Sequence, residues 1–256
     1  MIHNLNSRIC RRNSYKMDLV SIIIPSYNRF KYVLNAIQSM KEQTYKHIEI
    51  IVVNDCSTEK EYYTYDWASN NIIILHLEKN TQSLFGFPCA GYVRNKGIEL
   101  SRGKYIGFCD DDDVWLPNKL ELQLDAMKET NCKFSATEGF IGNGVFDKLQ
   151  MYKKYNSEYY FSTIQSIYTS AGSDKMIHNY PRIWDYDFLR IHNCVITSSV
   201  VIEKELITQI GNMKNVPNGR EDYEYWLEAL KYTNLVYVPY VCFYYDMGHG
   251  GRNEKN

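Results

Sequence analysis

The sequence predicts an α/β fold with a mainly parallel central sheet and flanking helices. Four apolar runs, the first three of them rich in β-branched residues, occur in the first half of the chain, within 18–29, 47–57, 70–77 and 104–109. Runs of this kind are typical of strands that are buried on both faces. Segments whose apolar residues recur at helical spacing alternate with them. Because alternating strands and helices form right-handed βαβ units, we expect the four strands to lie parallel in one sheet.

Composition limits the class of protein. The chain has 256 residues, of which 45% are hydrophobic and 23% charged, and its formal net charge is −1. These values are typical of a globular protein with one sizeable core, and they argue against a nucleic-acid partner. The seven cysteines include no CxxC pair, which favours a reducing compartment.

The same sequence lacks the signals of membrane insertion. No apolar run reaches the roughly 18 residues that a membrane helix needs, and the N-terminus has no apolar region like that of a signal peptide. Residues 1–17 carry several basic side chains and no acid. We therefore expect a soluble, cytoplasmic protein with no integral membrane segment, preceded by a flexible arm over residues 1–17.

The helices of the first half are predicted from their apolar spacing. The first follows residue 29, the second occupies 88–103, and the third follows Pro117, since proline is common in the first turn of helices. The residues expected on their buried faces are Phe30, Val33, Leu34, Ile37 and Met40, then Ala90, Val93, Gly97 and Ile98, then Leu120, Leu124 and Met127.

The second half has a less regular pattern. Residues 139–190 are rich in Tyr, Ser, Asn and Gly and show no clear period. A strand, a turn and a short helix are predicted within 193–211, an amphipathic helix over 219–232 and a last strand over 234–245. The absence of repeats and of Pro/Gly/Ser linkers in the sequence indicates one continuous domain.

Three polar clusters directly follow predicted strands. They are PSYNR at 25–29, NDCS at 54–57 and DDDD at 110–113. Ligands of parallel α/β sheets bind beyond the carboxyl ends of the strands. We therefore expect the three clusters to converge on one cleft.

The four successive aspartates have two interpretations. A divalent cation takes carboxylate oxygens together with substrate phosphates, and it would relieve the repulsion among these side chains. In an extended segment Asp110 and Asp112 would point the same way and could share such a ligand. The alternative is a solvated turn in which one aspartate caps the following helix.

Several linked motifs resemble one known family. The segments SIIIPSYNR, IEIIVVNDCS, RNKGIELSRGKYIGFCDDDDVWLPNKLE and GREDYEYWLEAL are similar, in order and spacing, to those of inverting glycosyltransferase family 2, which has the GT-A fold. The resemblance is stronger over 18–130 than over 190–240. It implies a GT-A domain with a nucleotide-sugar-binding half at 18–135 and a less regular acceptor-binding half at 136–256. The family usually has glycine where this chain has Cys56.

The resemblance also implies roles for residues of the donor site. Pro25 and Tyr27 match the positions that pack on the base, and Asp55 matches the position that accepts its N3–H, as a carboxylate can from uracil.

The resemblance places three more residues near the phosphates and the ribose. Arg94 would reach the phosphates or order the aspartates, with a surface salt bridge as its alternative. Asp110 and Asp111 match the positions that surround the ribose.

Metal binding and catalysis are implied in the same way. Asp112 matches the aspartate that binds Mn²⁺ or Mg²⁺ through the diphosphate. The glycine-rich tail would let His249 close over the diphosphate or provide another metal ligand, and the alternative is that His249 lies in solvent. Asp222 matches the general base, and its alternative role is a helix N-cap. Glu221 would support it. Trp115 lies beneath the aspartate loop or stacks on a sugar, and Asn193 lines the acceptor site or packs in the core.

Taken with the resemblance, the residues predict a metal-dependent inverting glycosyltransferase. It would move one glucose, galactose or N-acetylhexosamine from a UDP-sugar donor to a glycan or glycoprotein acceptor. The QxxRW motif of processive synthases is absent, which favours one sugar per encounter. The alternatives are a catalytically silent GT-A binding or scaffold protein and a nucleotidyltransferase that makes nucleotide sugars. The tyrosine-rich segment 151–161 either shapes the acceptor site or pairs two protomers in a homodimer.

Overall fold

The computed structural model describes residues 17–248. The predicted arm at 1–17, apart from its last residue, and His249 lie outside the described residues. Within 17–248 no helix is of a length and apolarity that would let it cross a membrane.

The first half alternates strands and helices as predicted. Its elements are β1 (Val20–Ser26), α1 (Phe30–Lys41), β2 (Ile48–Asn54), α2 (Glu61–Thr64), β3 (Ile72–His76), α3 (Thr81–Phe85), α4 (Ala90–Leu100), β4 (Tyr105–Phe108), β5 (Val114–Trp115) and α5 (Lys119–Thr130).

The second half contains more strands and more irregular helices. Its elements are β6 (Phe134–Gly142), β7 (Lys153–Lys154), a π-helix (Tyr155–Tyr160), α6 (Phe161–Ser170), β8 (Ile183–Trp184), α7 (Tyr186–Leu189), a 3₁₀ turn (Thr197–Ser199), β9 (Val201–Glu203), α8 (Lys204–Ile210), α9 (Glu221–Ala229) and β10 (Leu235–Asp246).

One sheet runs through both halves. The strand order is β3-β2-β1-β4-β9-β6-β10-β5, with β7 paired to β6 and β8 paired to β10. The strands β3, β2, β1 and β4 are parallel, as predicted. The strand β9 joins β4 to β6 by antiparallel pairing on both sides, and β10 is parallel to β6. The predicted α/β fold class is confirmed, and each antiparallel pair of the described strands includes a strand of the second half.

The central strand β1 is buried on both faces. Ile22, Ile23 and Ile24 are fully buried. Ile22 and Ile24 pack in a core with α1, whereas Ile23 packs in the core of the opposite face. The continuous apolar run of the sequence reflects this position between two helical layers. Trp226, in the amphipathic helix that is predicted over 219–232, is also fully buried.

Residues 139–190, which show no clear period in the sequence, contain short strands and helices. The strand β6 begins before this segment and enters it, but its buried residues include Ser135, Thr137 and Glu138, which hide its apolar pattern. The Glu138 carboxylate accepts hydrogen bonds from the backbone N–H groups of Asn156 and Ser157, at 2.9 Å each. These two residues begin the π-helix, so a buried side chain that is distant in sequence stabilises its first turn.

We expect Gly97→Ala to lower the free energy of unfolding by about 1–3 kcal/mol, although alanine is the better helix former. A Cβ at this position would lie 2.5 Å from Cγ2 of the fully buried Ile23. Urea denaturation measures the change. The matched control is Glu99→Ala, at an exposed site of the same helix, which should change stability by less than about 0.5 kcal/mol. A Gly97→Ala protein as stable as the wild type would contradict this packing.

Candidate active site

The three polar clusters meet at one edge of the sheet. Ser26, the last residue of β1, donates a hydrogen bond of 2.7 Å to Oδ2 of Asp111. The backbone N–H of Asn28 donates to Oγ of Ser57 at 2.8 Å. The first contact joins the cluster at 25–29 to the aspartates, and the second joins it to the cluster at 54–57. The strand order places the carboxyl ends of β1, β2 and β4 side by side, which explains the convergence.

The four aspartates form a turn and are not extended. The backbone N–H of Asp113 donates to the carbonyl oxygen of Asp110 at 3.1 Å. We refer to residues 110–113 as the aspartate turn. Nη1 of Arg29 lies 3.3 Å from Oδ1 of Asp111 and 2.7 Å from Oδ2 of Asp112. The extended conformation expected for this run is therefore wrong, and neighbouring side chains do not alternate as they do in a strand, since Arg29 contacts both Asp111 and Asp112.

A buried arginine connects this turn to the predicted catalytic segment. Nη2 of Arg94 lies 2.6 Å from Oδ1 of Asp110, and its Nη1 lies 4.0 Å from Oε1 of Glu221. The side chain of Arg94 is only 6% exposed, so the alternative of a surface salt bridge is wrong. Burial lowers the pKa of this guanidinium, but Asp110, Asp222 and Glu221 together outweigh burial, so the pKa is raised overall. Arg94 thus carries a full positive charge between two acidic segments.

The turn has more negative than positive charge. Within the described part of the chain, the carboxylates of Asp110, Asp111 and Asp112 pair with two guanidinium groups. Burial raises the pKa of Asp111 to about 6, with Arg29 opposing the shift. Burial, followed by repulsion from Asp111, raises the pKa of Asp112 to about 7. These raised pKa values indicate that Arg29 and Arg94 do not fully neutralise the carboxylates of the turn.

The donor atoms fit a hard divalent cation. Mg²⁺ and Mn²⁺ take oxygen ligands, commonly one or two carboxylates completed by substrate phosphates and water. Across residues 17–248, no group of three or more His, Cys, Asp or Glu side chains could hold a metal ion alone. A cation at Asp112 would therefore need oxygens from the substrate to complete its coordination.

The fourth aspartate differs from the other three. Oδ1 of Asp113 accepts from the backbone N–H of Asp246 at 2.9 Å, and its Oδ2 is buried with no hydrogen-bond partner among the described residues. Burial raises the pKa of Asp113 well above its ordinary value. Asp113 therefore connects the turn to the end of β10 and is not available to a ligand.

The predicted base-binding residues lie next to the turn. Pro25 pairs with Val53 between β1 and β2, and the ring of Tyr27 follows β1 and is 43% exposed. Both oxygens of Asp55 accept from Thr81, one from its backbone N–H at 2.9 Å and one from its hydroxyl at 2.7 Å. Thr81 therefore fixes the orientation of the Asp55 carboxylate.

Cys56 occupies a position at which the resembled family usually has glycine, and its backbone conformation accounts for that preference. Its φ is 57°, in the left-handed region that favours glycine. The glycine that is usual at this position in the resembled family would adopt the same conformation without strain.

The predicted general base lies in the first turn of α9. Oδ2 of Asp222 accepts from Oγ1 of Thr197 at 2.9 Å, and its Oδ1 accepts from the backbone N–H of Tyr223 at 2.6 Å. The N-cap position of α9 is Arg220, so the alternative of Asp222 as the N-cap is wrong. Burial raises the pKa of the neighbouring Glu221, with Arg94 opposing the shift.

Trp115 supports the turn from below. The side chain is 1% exposed, so the alternative of stacking on a sugar is wrong. Its Nε1 donates to the carbonyl oxygen of Ser198 at 2.9 Å, and Nζ of Lys119 lies 4.3 Å from its ring centre. Asn193 is half-buried, and its Oδ1 accepts from the backbone N–H of Val195 at 3.0 Å. This contact shapes the loop before the 3₁₀ turn.

Several residues of the site could not be predicted from the sequence. The cluster at 25–29 includes Arg29, but nothing in the sequence indicates that it pairs with aspartates about 80 residues later. Thr197 and Ser198 stand in a loop, where hydroxyl side chains are common. Only their contacts, to Asp222 and to the backbone N–H of Asp110, distinguish them.

Comparison with known proteins identifies relatives of this chain. The sequence profile described as "Glycosyl transferase family 2" matches residues 21–181. The chain is 32% identical over 229 residues to the "Putative teichuronic acid biosynthesis glycosyltransferase TuaG" of Bacillus subtilis (strain 168), covering 88% of this chain and 77% of TuaG. It is 28% identical over 234 residues to the "UDP-Glc:alpha-D-GlcNAc-diphosphoundecaprenol beta-1,3-glucosyltransferase WfgD" of Escherichia coli, covering 90% of this chain and 77% of WfgD.

Solved structures share the fold. The crystal structure of S. aureus TarS 1–349 superposes with a TM-score of 0.65 at 19% identity, covering 90% of this chain and 60% of that chain. The same TarS segment in complex with UDP-GlcNAc gives a TM-score of 0.62 at 18% identity, covering 91% and 60%. The profile match spans more than half of the chain and the fold agrees with it, so this protein belongs to glycosyl transferase family 2 and is a glycosyltransferase with the GT-A fold.

Proposed function

We propose that this glycosyltransferase transfers one sugar from a UDP-sugar to a hydroxyl group with inversion at the anomeric carbon. In this proposal Asp112 holds a divalent cation, Mn²⁺ or Mg²⁺, and Asp222 is the general base. The observation that carries the proposal is the position of Arg94, whose buried guanidinium contacts Asp110 of the aspartate turn and approaches Glu221, the neighbour of Asp222. Diphosphate binding and proton removal would thus occur within one cleft.

The identity of the donor is supported by the relatives. WfgD is named as an enzyme that uses UDP-Glc, and TarS was crystallised with UDP-GlcNAc. We therefore propose a UDP-sugar of the glucose, galactose or N-acetylhexosamine type. In this chain the exposed ring of Tyr27 can stack on uracil, and the Asp55 carboxylate, held by Thr81, keeps lone pairs that can accept the uracil N3–H.

The acceptor is proposed as a hydroxyl group of a glycan or of a protein-linked sugar. The name of WfgD adds sugars carried on diphosphoundecaprenol to the candidates. The acceptor would enter from the side of α9, since Asp222 must reach its hydroxyl group. Asn193, in the loop before the 3₁₀ turn that contacts Asp222, is proposed to border this entrance.

The chemistry is one in-line displacement. The acceptor oxygen attacks the anomeric carbon, the bond from this carbon to the diphosphate oxygen breaks, and Asp222 takes the hydroxyl proton. When bound, a divalent cation would neutralise charge that develops on the leaving diphosphate. Arg94 is too enclosed by Asp110 and Glu221 to leave its place, so its role is to hold the two acidic segments together. Arg29 plays the same part for Asp111 and Asp112.

Donor hydrolysis tests the proposal without knowledge of the acceptor. The purified protein is incubated with UDP-glucose, UDP-galactose, UDP-GlcNAc, GDP-mannose and dTDP-glucose, with Mn²⁺, with Mg²⁺ or with EDTA, and the released nucleoside diphosphate is quantified. We expect release from a UDP-sugar, reduced at least about 100-fold by EDTA or by Asp112→Asn, because a metal ion supplies several kcal/mol of charge stabilisation. The control Asp187→Asn changes an aspartate whose side chain is 73% exposed. Release that is unaffected by EDTA would contradict the metal.

Asp222→Asn is expected to lower the rate of donor hydrolysis by about 10²–10⁴-fold, the usual contribution of a general base. The affinity for UDP with Mn²⁺, measured by titration calorimetry, should stay unchanged, because asparagine keeps the size of the side chain and the aspartate turn is untouched. Activity within a few-fold of the wild type would show that another group removes the proton.

The aspartate turn carries more negative charge than its arginine partners neutralise, so removal of one of its carboxylates should stabilise the folded protein. The pKa values of Asp111 and Asp112 are raised, so the folded chain holds protons that the unfolded chain releases above about pH 4. Without metal, the free energy of unfolding should therefore fall as the pH rises from about 4 to 7. Asp112→Asn should reduce this fall and raise the melting temperature at pH 7.5 by about 2–4 °C, on the order of 1 kcal/mol. Thermal unfolding of Asp112→Asn and Asp187→Asn measures both effects, and a lower melting temperature in Asp112→Asn would contradict the surplus.

A further inference from the structure

One short segment touches both acidic parts of the site. It is the 3₁₀ turn Thr197–Ser199, which we call the hydroxyl turn. Oγ1 of Thr197 donates to Oδ2 of Asp222 at 2.9 Å, and Oγ of Ser198 accepts from the backbone N–H of Asp110 at 2.9 Å. Consecutive residues of the hydroxyl turn therefore contact the proposed base and the first residue of the aspartate turn.

The hydroxyl turn is anchored from the inside of the protein. All three of its residues are at most 5% exposed. The carbonyl oxygen of Ser198 accepts from Nε1 of Trp115 at 2.9 Å. The carbonyl oxygen of Ser199 accepts from Nζ of Lys119 at 2.9 Å and from Nε2 of Gln123 at 3.0 Å. Because its backbone is held by these buried side chains, the hydroxyl groups of Thr197 and Ser198 are presented to the site in fixed positions.

The contact of Thr197 determines where the free lone pairs of Asp222 point. The carboxylate receives one hydrogen bond on each oxygen, from Thr197 and from the backbone N–H of Tyr223. The backbone contact holds only Oδ1 of this carboxylate. The hydroxyl contact holds Oδ2 as well, which matters because a general base must lie within hydrogen-bond reach of the proton it removes.

We infer that the hydroxyl turn sets the spacing between the general base and the diphosphate-binding turn. Thr197 is a positioning residue for Asp222, and Ser198 is a positioning residue for Asp110. This inference rests on the proposed function, since it takes Asp222 as the base and the aspartate turn as the donor site. The alternative is that the hydroxyl turn only packs the core, in which case a substitution of equal size would leave the chemistry intact.

Thr197→Val tests the inference, because valine keeps the volume and removes the donor. We expect the kcat of UDP-sugar hydrolysis to fall about 10- to 100-fold, the size expected for a hydrogen bond to a charged group, with unchanged affinity for UDP with Mn²⁺. Thr197→Ser should restore most of the lost rate. Thr197→Ala provides a second variant that removes the donor if valine disturbs folding. The matched control Thr208→Val, at an exposed position of α8, should leave the rate unchanged.

Sodium azide separates a positioning role from a packing role. Azide attacks the anomeric carbon as an anion, the bond to the diphosphate oxygen breaks, and a glycosyl azide and UDP form without removal of a proton. Azide should therefore restore UDP release in Asp222→Asn and in Thr197→Val alike. Ser198→Ala should instead raise the dissociation constant for UDP with Mn²⁺, and azide should not restore its activity at low donor concentration.

The outcomes distinguish the inference from the proposed function. A Thr197→Val enzyme with wild-type kcat, or a slow one that azide does not restore, would overturn the positioning role while Asp222→Asn stays inactive. Wild-type activity in Asp222→Asn would overturn the base assignment itself. Restoration of both variants by azide, with Ser198→Ala weakened only in UDP binding, would support the inference.

Discussion

The candidate site depends on the burial of one positive charge. A guanidinium group enclosed by protein is stable only when carboxylates partner it, and Arg94 has Asp110 at 2.6 Å and Glu221 at 4.0 Å. Its helix can approach α9 this closely because Gly91 has no side chain: a Cβ there would lie 2.9 Å from Cγ of Glu221. The aspartate turn and the segment of Asp222 are more than 100 residues apart in the sequence, and this ion pair is one of the contacts that join them.

The second connection between these segments is neutral. The turn Thr197–Ser199 carries hydrogen bonds to Asp222 and to the backbone of Asp110, and Trp115, Lys119 and Gln123 hold it from the core. Three carboxylates in a partly desolvated turn are costly to the fold, as the raised pKa values of Asp111 and Asp112 indicate. A preformed arrangement of charges at a functional site lowers the stability of the fold, and contacts in the rest of the structure must hold these charged groups in place.

Some strands of this fold could be predicted from the sequence and others could not. The strands β1 to β4 were predictable because they read as continuous apolar runs, and in β1 and β2 these runs are buried on both faces. The strand β6 was not, because Ser135, Thr137 and Glu138 are buried in it and interrupt that pattern. Glu138 has its partners in the π-helix about 18 residues later, and no local rule indicates such a contact. The alternating directions expected for the aspartates were wrong for a related reason: the run closes into a turn after β4 ends.

The sequence by itself determined the α/β class, the order of the first four strands and helices, and the resemblance to the family that the profile match confirms. It did so because continuous apolar runs and helical periodicity are local properties of the chain. Only the tertiary structure decided that Arg29 and Arg94 neutralise the aspartate turn, that Trp115 lies buried beneath it, and that Thr197 contacts Asp222. These contacts join residues from 16 to more than 80 positions apart in the sequence. Packing and the desolvation of charge determine which residues become partners, and neither can be inferred from the local sequence pattern.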